Sequence, residues 1–246
     1  MRSSRGFVRA VEKLPERVRE PDRYPHTIPA IRALRRLRLD PRATFLIGEN
    51  GCGKSTLIEA IAIAAGLNPE GGSKNFAFET MASHSDLHQA LRLIRGPARE
   101  RDGFFLRAES LFNVATEMEV NLLDAGGRPL RYGDRSLHQQ SHGEAFLALL
   151  QHRFGTRGLY ILDEPEAALS PTRQLAMLGL MHDLAVAGSQ FVVATHSPIL
   201  MAFPEATLYL LDEGGIRRVG YEETEHYQVI SGFLADRHEY LRHLLS

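Results

Sequence analysis

Gly48-Glu49-Asn50-Gly51-Cys52-Gly53-Lys54-Ser55 fits the spacing G-x-x-x-x-G-K-[ST] at every fixed position. Glycines there let backbone N–H groups curl around phosphate oxygens, and a helix opening at Lys54 would turn its positive dipole end on the same anion. The pattern predicts that Lys54 reaches the β- and γ-phosphates of ATP, that Thr56 joins the loop in binding the nucleotide, and that Ser55 ligates Mg2+. A second element, Leu159-Tyr160-Ile161-Leu162-Asp163-Glu164, ends an apolar run on two carboxylates. An Asp in that place suits Mg2+ held through water, and the adjacent Glu suits polarisation of an attacking water as general base. An acidic pair after an apolar strand is common by itself. Together with the phosphate-binding loop it points to hydrolysis of ATP.

Three short apolar runs, 43–47, 159–162 and 191–194, must position these groups. Each is too short for a helix and none alternates polar with apolar, so they read as strands buried on both faces of a parallel sheet. Chemistry follows each run at its carboxyl end: residues 48–55, Asp163-Glu164 and Thr195-His196. Ligands of open α/β sheets bind outside those ends, so three segments converge on one site. Helices are expected over 54–65, with Leu57, Ile58 and Ile61 on one face, and over 143–153 and 171–187, where Pro171 suits a first turn. Arg36, Leu37, Arg38 and Leu39 alternate and predict an antiparallel portion near the N-terminus. Residues 66–108, with Gly71-Gly72, Gly96-Pro97 and mixed charges through 99–102, read as a looser insertion. The expected organisation is one domain over 1–246, in which 66–142 form an insertion or helical subdomain, and 224–245 read as a helical tail. The fold class is α/β: a mainly parallel central sheet flanked by helices, with an N-terminal antiparallel β portion.

Bulk composition narrows the setting. The 246 residues are 43% hydrophobic and 24% charged, which suits a packed globular core. No apolar run approaches the roughly 20 residues that span a bilayer, and the basic N-terminus is followed by no apolar stretch that would make a signal peptide. The sole cysteine, Cys52, excludes an internal disulfide and fits the reducing cytoplasm. Net charge is −1, but residues 1–107 hold 19 Lys/Arg against 12 Asp/Glu and the remainder holds 10 against 18. Such asymmetry can mark a basic binding face, although chance segregation over a folded surface also produces it.

Gln140-Ser141-His142-Gly143-Glu144 lies 22 residues before Asp163. With the loop and the acidic pair, it resembles the signature motif of the ABC-type ATPases in an S-x-G-E form. The resemblance implies that Ser141 and Gly143, supported by Glu144, close over the γ-phosphate held by a second subunit, and hence an ATP-dependent homodimer. A helix N-terminus suits that role through its free N–H groups. The same residues also spell a capping box. His142 stands where transporters of the family usually have glycine. Thr195-His196-Ser197-Pro198, 33 residues beyond Asp163 at the histidine, takes the place of the family's switch histidine. This implies that His196 contacts the γ-phosphate and the attacking water. Ala168-Leu169-Ser170-Pro171 matches the loop that crosses the family's dimer interface. The family's glutamine after a strand between loop and signature has no clear counterpart; Glu109 and Asn113 are the candidates. Tyr24 is a candidate to stack on adenine, and Tyr24-Pro25 otherwise reads as a turn.

Only 93 residues separate Gly48 from Ser141, which excludes a long coiled-coil arm. The stretch from Asp163 to Pro171, the Thr195–Pro198 segment, the S-x-G-E form and the residues 104–116 are similar to the stand-alone, SMC-like predicted ATPases of bacteria. That likeness implies a soluble, cytoplasmic, ATP-switched dimer acting on nucleic acid or a protein partner, in repair or defence, without direct membrane insertion. The alternative is the nucleotide-binding subunit of an ABC membrane transporter. His84 and His88 have helical ligand spacing but no third ligand nearby, so they read as a solvated polar face. Arg92, Arg95, Arg99, Arg101 and Arg107 are diluted by Glu100 and Asp102 and read as a solvated lid.

Overall fold

A computed structural model describes residues 6–69, 72, 85–109 and 141–245. Its central sheet runs in the order β5 (Asp102–Arg107), β6 (Gly158–Asp163), β7 (Gln190–Ala194), β3 (Ala43–Ile47), β8 (Thr207–Asp212), β9 (Gly215–Val219). All neighbours pair in parallel except β8 with β9. A second, antiparallel sheet has the order β2 (Arg36–Arg38), β1 (Val8–Lys13), β4 (Leu91–Arg95).

The apolar runs are strands because both faces of the central sheet are covered. Side chains alternate across a strand, so each run feeds two cores. Phe45, Ile47, Tyr160, Leu162, Phe191 and Val193 pack with Phe146 and Leu149 of helix α4 (His142–Arg153) and with Met177 and Met181 of helix α5 (Pro171–Val186). Leu46, Leu159, Ile161 and Val192 pack on the other side with Leu57, Ile58 and Ile61 of helix α2 (Lys54–Ala64), and with Ile31 of the short helix α1 (Pro29–Ala33). Val8 and Val11 of β1 belong to this second core, so the antiparallel sheet closes over α2.

One buried side chain ties the two sheets together. Gln190 donates from Nε2 to the carbonyl oxygens of Val8 and Asp40, both at 2.8 Å, and accepts from the Val8 N–H at 3.0 Å. A fully buried amide with its hydrogen bonds made specifies one relative placement of β1 and β7.

The segment expected to be a looser insertion behaves otherwise. Residues 91–95 are a strand of the antiparallel sheet, and residues 102–107 are, among the described residues, the last strand on one side of the central sheet, with Gly72 bridging to Phe105 beyond it. Their charged side chains disguised them. Arg92 pairs with Glu12 at 2.6 Å and Arg95 with Glu100 at 3.0 Å, while Leu91 and Leu93 turn to the core. The short helices α3 (Leu87–Ala90) and α6 (Pro198–Met201) connect elements at the margins of the cores. The tail forms two helices, α7 (Glu225–Ala235) and α8 (Arg237–Leu245), and no residue of either is buried. Among the described residues, no helix is long and apolar enough to cross a membrane.

Candidate functional site

The loop after β3 enters α2 through Gly53, whose φ of 99° is left-handed, and no side chain caps the helix. The first N–H groups of α2 are therefore left for an external acceptor, which is the arrangement that binds phosphate. At Gly48, with φ of 140°, any Cβ would collide with the Leu211 carbonyl oxygen, so the chain can leave β3 this way only as glycine. Lys54 is 3% exposed and its ammonium donates to the carbonyl oxygens of Gly48 and Glu49 at 3.0 and 2.9 Å. An ammonium has three protons, so one remains for an anion in the loop. The loop residues Gly48, Glu49, Asn50, Gly51 and Cys52 line a cavity of about 780 Å³, closed opposite by Asp212–Gly215 of the β8–β9 turn and by Thr224, Glu225 and His226.

Ser55 donates from Oγ to Asp163 Oδ1 at 3.1 Å, across from β3 to the end of β6. Asp163 is almost wholly buried, and burial pushes its carboxyl up to about 6 against the charge of Arg107 and the hydrogen bonds of Ser55 and Arg107. Arg107, opposite Asp163 in the β5–β6 register, places Nε 3.3 Å from Asp163 Oδ2 and Nη1 2.9 Å from Glu59 Oε2. Burial works against its charge, but Asp163 and Glu59 outweigh it and raise the guanidinium above its ordinary value. Arg107 thus lies within the site rather than on a solvated lid. It stands where the β5 strand ends, next to Glu109, one of the two candidates for the missing glutamine. The other, Asn113, lies outside the described residues, as do His84 and Gln140.

Glu164 adopts a left-handed backbone, φ 49° and ψ 50°, that few non-glycine residues adopt. Its N–H is held by the Ala194 carbonyl at 2.9 Å, so β7 fixes the turn. Glu164 Oε1 lies 3.4 Å from His196 Nε2, without hydrogen-bond geometry, and among the described residues that nitrogen is buried with no hydrogen-bond partner. Burial and then the charge of Lys54 lower the His196 pKa against the opposing pull of Glu164. On balance the neutral ring is favoured. The His196 N–H donates to Glu166 Oε1, and Glu166 is itself pushed up by burial against that bond and one from Thr195.

Lys54, Ser55, Asp163, Glu164 and His196 therefore meet at the carboxyl ends of β3, β6 and β7. Ser141, Gly143 and Glu144 do not join them within one chain. Ser141 caps α4, accepting from the Glu144 N–H at 3.4 Å, while its own N–H and Oγ donate to Glu144 Oε2 at 2.9 and 2.8 Å. Arg173 reaches both residues, at 3.3 and 3.1 Å. A Cβ on Gly143 would stand 2.8 Å from the Ala168 carbonyl oxygen, so α4 approaches the turn before α5 as closely as it does only through glycine. Tyr24 is 67% exposed and its hydroxyl lies 2.9 Å from Thr56 Oγ1, at the start of α2. In sequence Arg107 reads as part of a solvated lid, because its charged neighbours conceal a strand, and His226 is passed over, since no motif marks it.

Known proteins resemble this chain in sequence and in fold. A family model described as an AAA domain matches residues 30–151, and one described as "AAA domain, putative AbiEii toxin, Type IV TA system" matches residues 131–202. The cytochrome c biogenesis ATP-binding export protein CcmA of Mesorhizobium japonicum is 32% identical over 171 residues, 64% of this chain and 80% of that protein. CcmA of Rhodopseudomonas palustris is 30% identical over 166 residues, 64% of this chain and 79% of that protein. Among solved structures, cbiO1 from Clostridium perfringens, part of the ABC transporter complex cbiONQ, superposes with a TM-score of 0.51 at 16% identity, covering 98% of this chain and 99% of that one, which is a likeness of fold. Fold, loop and relatives agree that this chain belongs to the AAA/ABC-type P-loop ATPases, and it binds and hydrolyses ATP.

Proposed function

We propose that hydrolysis takes place in a homodimer that sandwiches ATP between the residue 48–55 loop of one subunit and the Ser141-Gly143-Glu144 segment of the other. The observation that carries this reading is the division just described: five groups converge within the chain, and the signature residues lie apart from them at an exposed helix N-terminus. In this reading Lys54, Thr56 and the loop N–H groups bind the phosphates, and Ser55 and Asp163 hold Mg2+. Their oxygens, 3.1 Å apart, suit a hard divalent cation, which would neutralise charge on the phosphates. Glu164 polarises the attacking water and His196 directs its Nε2 at the terminal phosphate. Closing over ATP requires Ser141 Oγ to exchange its bond to Glu144 for one to phosphate. Tyr24, beside Thr56, is the adenine-stacking candidate.

For the output of the cycle, the relatives favour an ATP-binding subunit working with a membrane component, since those matched over most of their length are export or transporter ATP-binding proteins. The second reading, a cytoplasmic switch acting on nucleic acid or a protein partner, is supported by the toxin-type family model over residues 131–202. Glu164→Gln should retain ATP binding, slow turnover by roughly 10²–10⁴-fold and accumulate as an ATP-bound dimer. A monomer at saturating ATP, by analytical ultracentrifugation, refutes the sandwich. Recovery of the trapped dimer with a membrane protein selects the first output, and recovery with nucleic acid or a soluble protein selects the second.

A further inference from the structure

His226 sits in the first turn of α7, 30 residues beyond His196 in sequence, yet its Nε2 lies 3.4 Å from His196 Nδ1, with ring centroids 5.6 Å apart. The turn is fixed from beneath. Thr224, 2% exposed, caps α7 by accepting from the Tyr227 N–H at 3.2 Å and donates to the Tyr221 carbonyl at 2.7 Å. His226 also lines the cavity shared with the phosphate-binding loop.

Two neutral imidazoles facing each other nitrogen to nitrogen need one donor and one acceptor. Burial lowers both rings' pKa values, with Lys54 adding to each, which favours the neutral form of both. If His196 Nδ1 donated, its Nε2 would be a bare lone pair, buried and 3.4 Å from a carboxylate oxygen of Glu164. Two lone pairs would then face each other without a proton. If His226 Nε2 donates, the His196 proton lies on Nε2, facing Glu164. Only this second arrangement sets a proton, rather than a lone pair, against the Glu164 carboxylate.

We propose that His226 is a positioning residue for hydrolysis: its Nε2–H donates to His196 Nδ1 and thereby holds the His196 proton on Nε2, directed at Glu164 and the terminal phosphate. The inference rests on the site assignment under Proposed function. The nitrogen that bonds to a second group decides which tautomer a histidine presents to its substrate.

The test uses the full chain. His226→Leu removes the donor at similar size, and His226→Gln keeps an amide N–H at comparable reach. His226→Leu is expected to lower kcat by about tenfold, the usual effect of losing an orienting partner, with KM for MgATP within about twofold. His226→Gln is expected to restore most of kcat. Ring-nitrogen NMR of histidine-labelled wild-type protein is expected to show His196 protonated at Nε2, which decides the matter even if His226→Leu does not fold. A wild-type kcat in His226→Leu, or a wild-type His196 protonated at Nδ1, overturns the proposal. Full turnover in both His196→Ala and Glu164→Gln overturns the site assignment beneath it. Inactivity of those two with an unaffected His226→Leu overturns this inference alone.

Discussion

Replacing Arg107 by Met tests how the site tolerates its buried carboxylate. The guanidinium lies 3.3 Å from Asp163 and 2.9 Å from Glu59, and both carboxylates are nearly buried. Leaving a buried charge unpaired commonly costs about 3–5 kcal/mol. Asp163 has an escape. With its carboxyl at about 6, the ionised form lies only about 1.4 kcal/mol below the protonated form at pH 7. Once Arg107 is gone the carboxyl takes up a proton, so its contribution to the penalty is limited to about 1.4 kcal/mol plus roughly 1 kcal/mol for the lost hydrogen bond. The sign follows from linkage. A carboxyl whose folded pKa is raised favours the folded state as pH falls through about 6 toward its unfolded value. At pH 5 the wild-type carboxyl is already mostly protonated, so the gap between wild type and Arg107→Met should shrink by about 1.4 kcal/mol relative to pH 7. Urea unfolding without nucleotide or magnesium, at both pH values, measures the gap. A gap that stays constant or widens at pH 5 refutes the reasoning.

Two further outcomes are expected. Gln190→Leu should destabilise the fold by at least about 3 kcal/mol in urea unfolding, because it strands the Val8 N–H and the carbonyls of Val8 and Asp40 in a buried place, each costing about 1–3 kcal/mol; a loss below 1 kcal/mol would show that water replaces the amide. Cys52 is partly exposed on the cavity wall, so a maleimide should modify it in the absence of nucleotide and MgATP should protect it, as read by mass spectrometry; labelling that ATP leaves unchanged would remove Cys52 from the nucleotide's surroundings.

The strands that carry the chemistry were legible because burial on both faces leaves uninterrupted apolar runs, and the groups at their ends keep the spacing that their chemistry demands. Strands whose ends carry charge leave a different trace. β4 and β5 present Arg92, Arg95, Asp102 and Arg107 to solvent-side or site-side partners, and with Gly96-Pro97 between them they read as loop. The capping box and the signature could not be separated by sequence, since one set of residues spells both, and the structure shows the cap formed in the single chain. His226 was invisible for another reason. A contact between the loop after β7 and the first turn of α7, brought round by β8 and β9, has no fixed spacing, so only coordinates reveal it. The tail was legible as helix from its pattern, but nothing in the pattern tells whether its apolar side is covered.

That bare pair of helices sets a lifetime. α7 and α8, of 11 and 9 residues, hold no fully buried residue, His226 and Tyr227 being half-buried, and are shorter than the roughly 12–15 residues at which isolated helices begin to persist in water. Beyond the Thr224 anchor they are held by a few surface contacts, such as Gln228 to the Glu222 carbonyl and the Tyr221–Tyr227 ring pair, so their amide hydrogens belong at the fast end of the molecule's exchange range. Those of β3, β6 and β7 wait for the core to open. His226 rides on the fast part and His196 on the slow part, so the contact between the two rings lasts as long as the first turn of α7 stays wound, and its persistence is decided outside the core that builds the rest of the site.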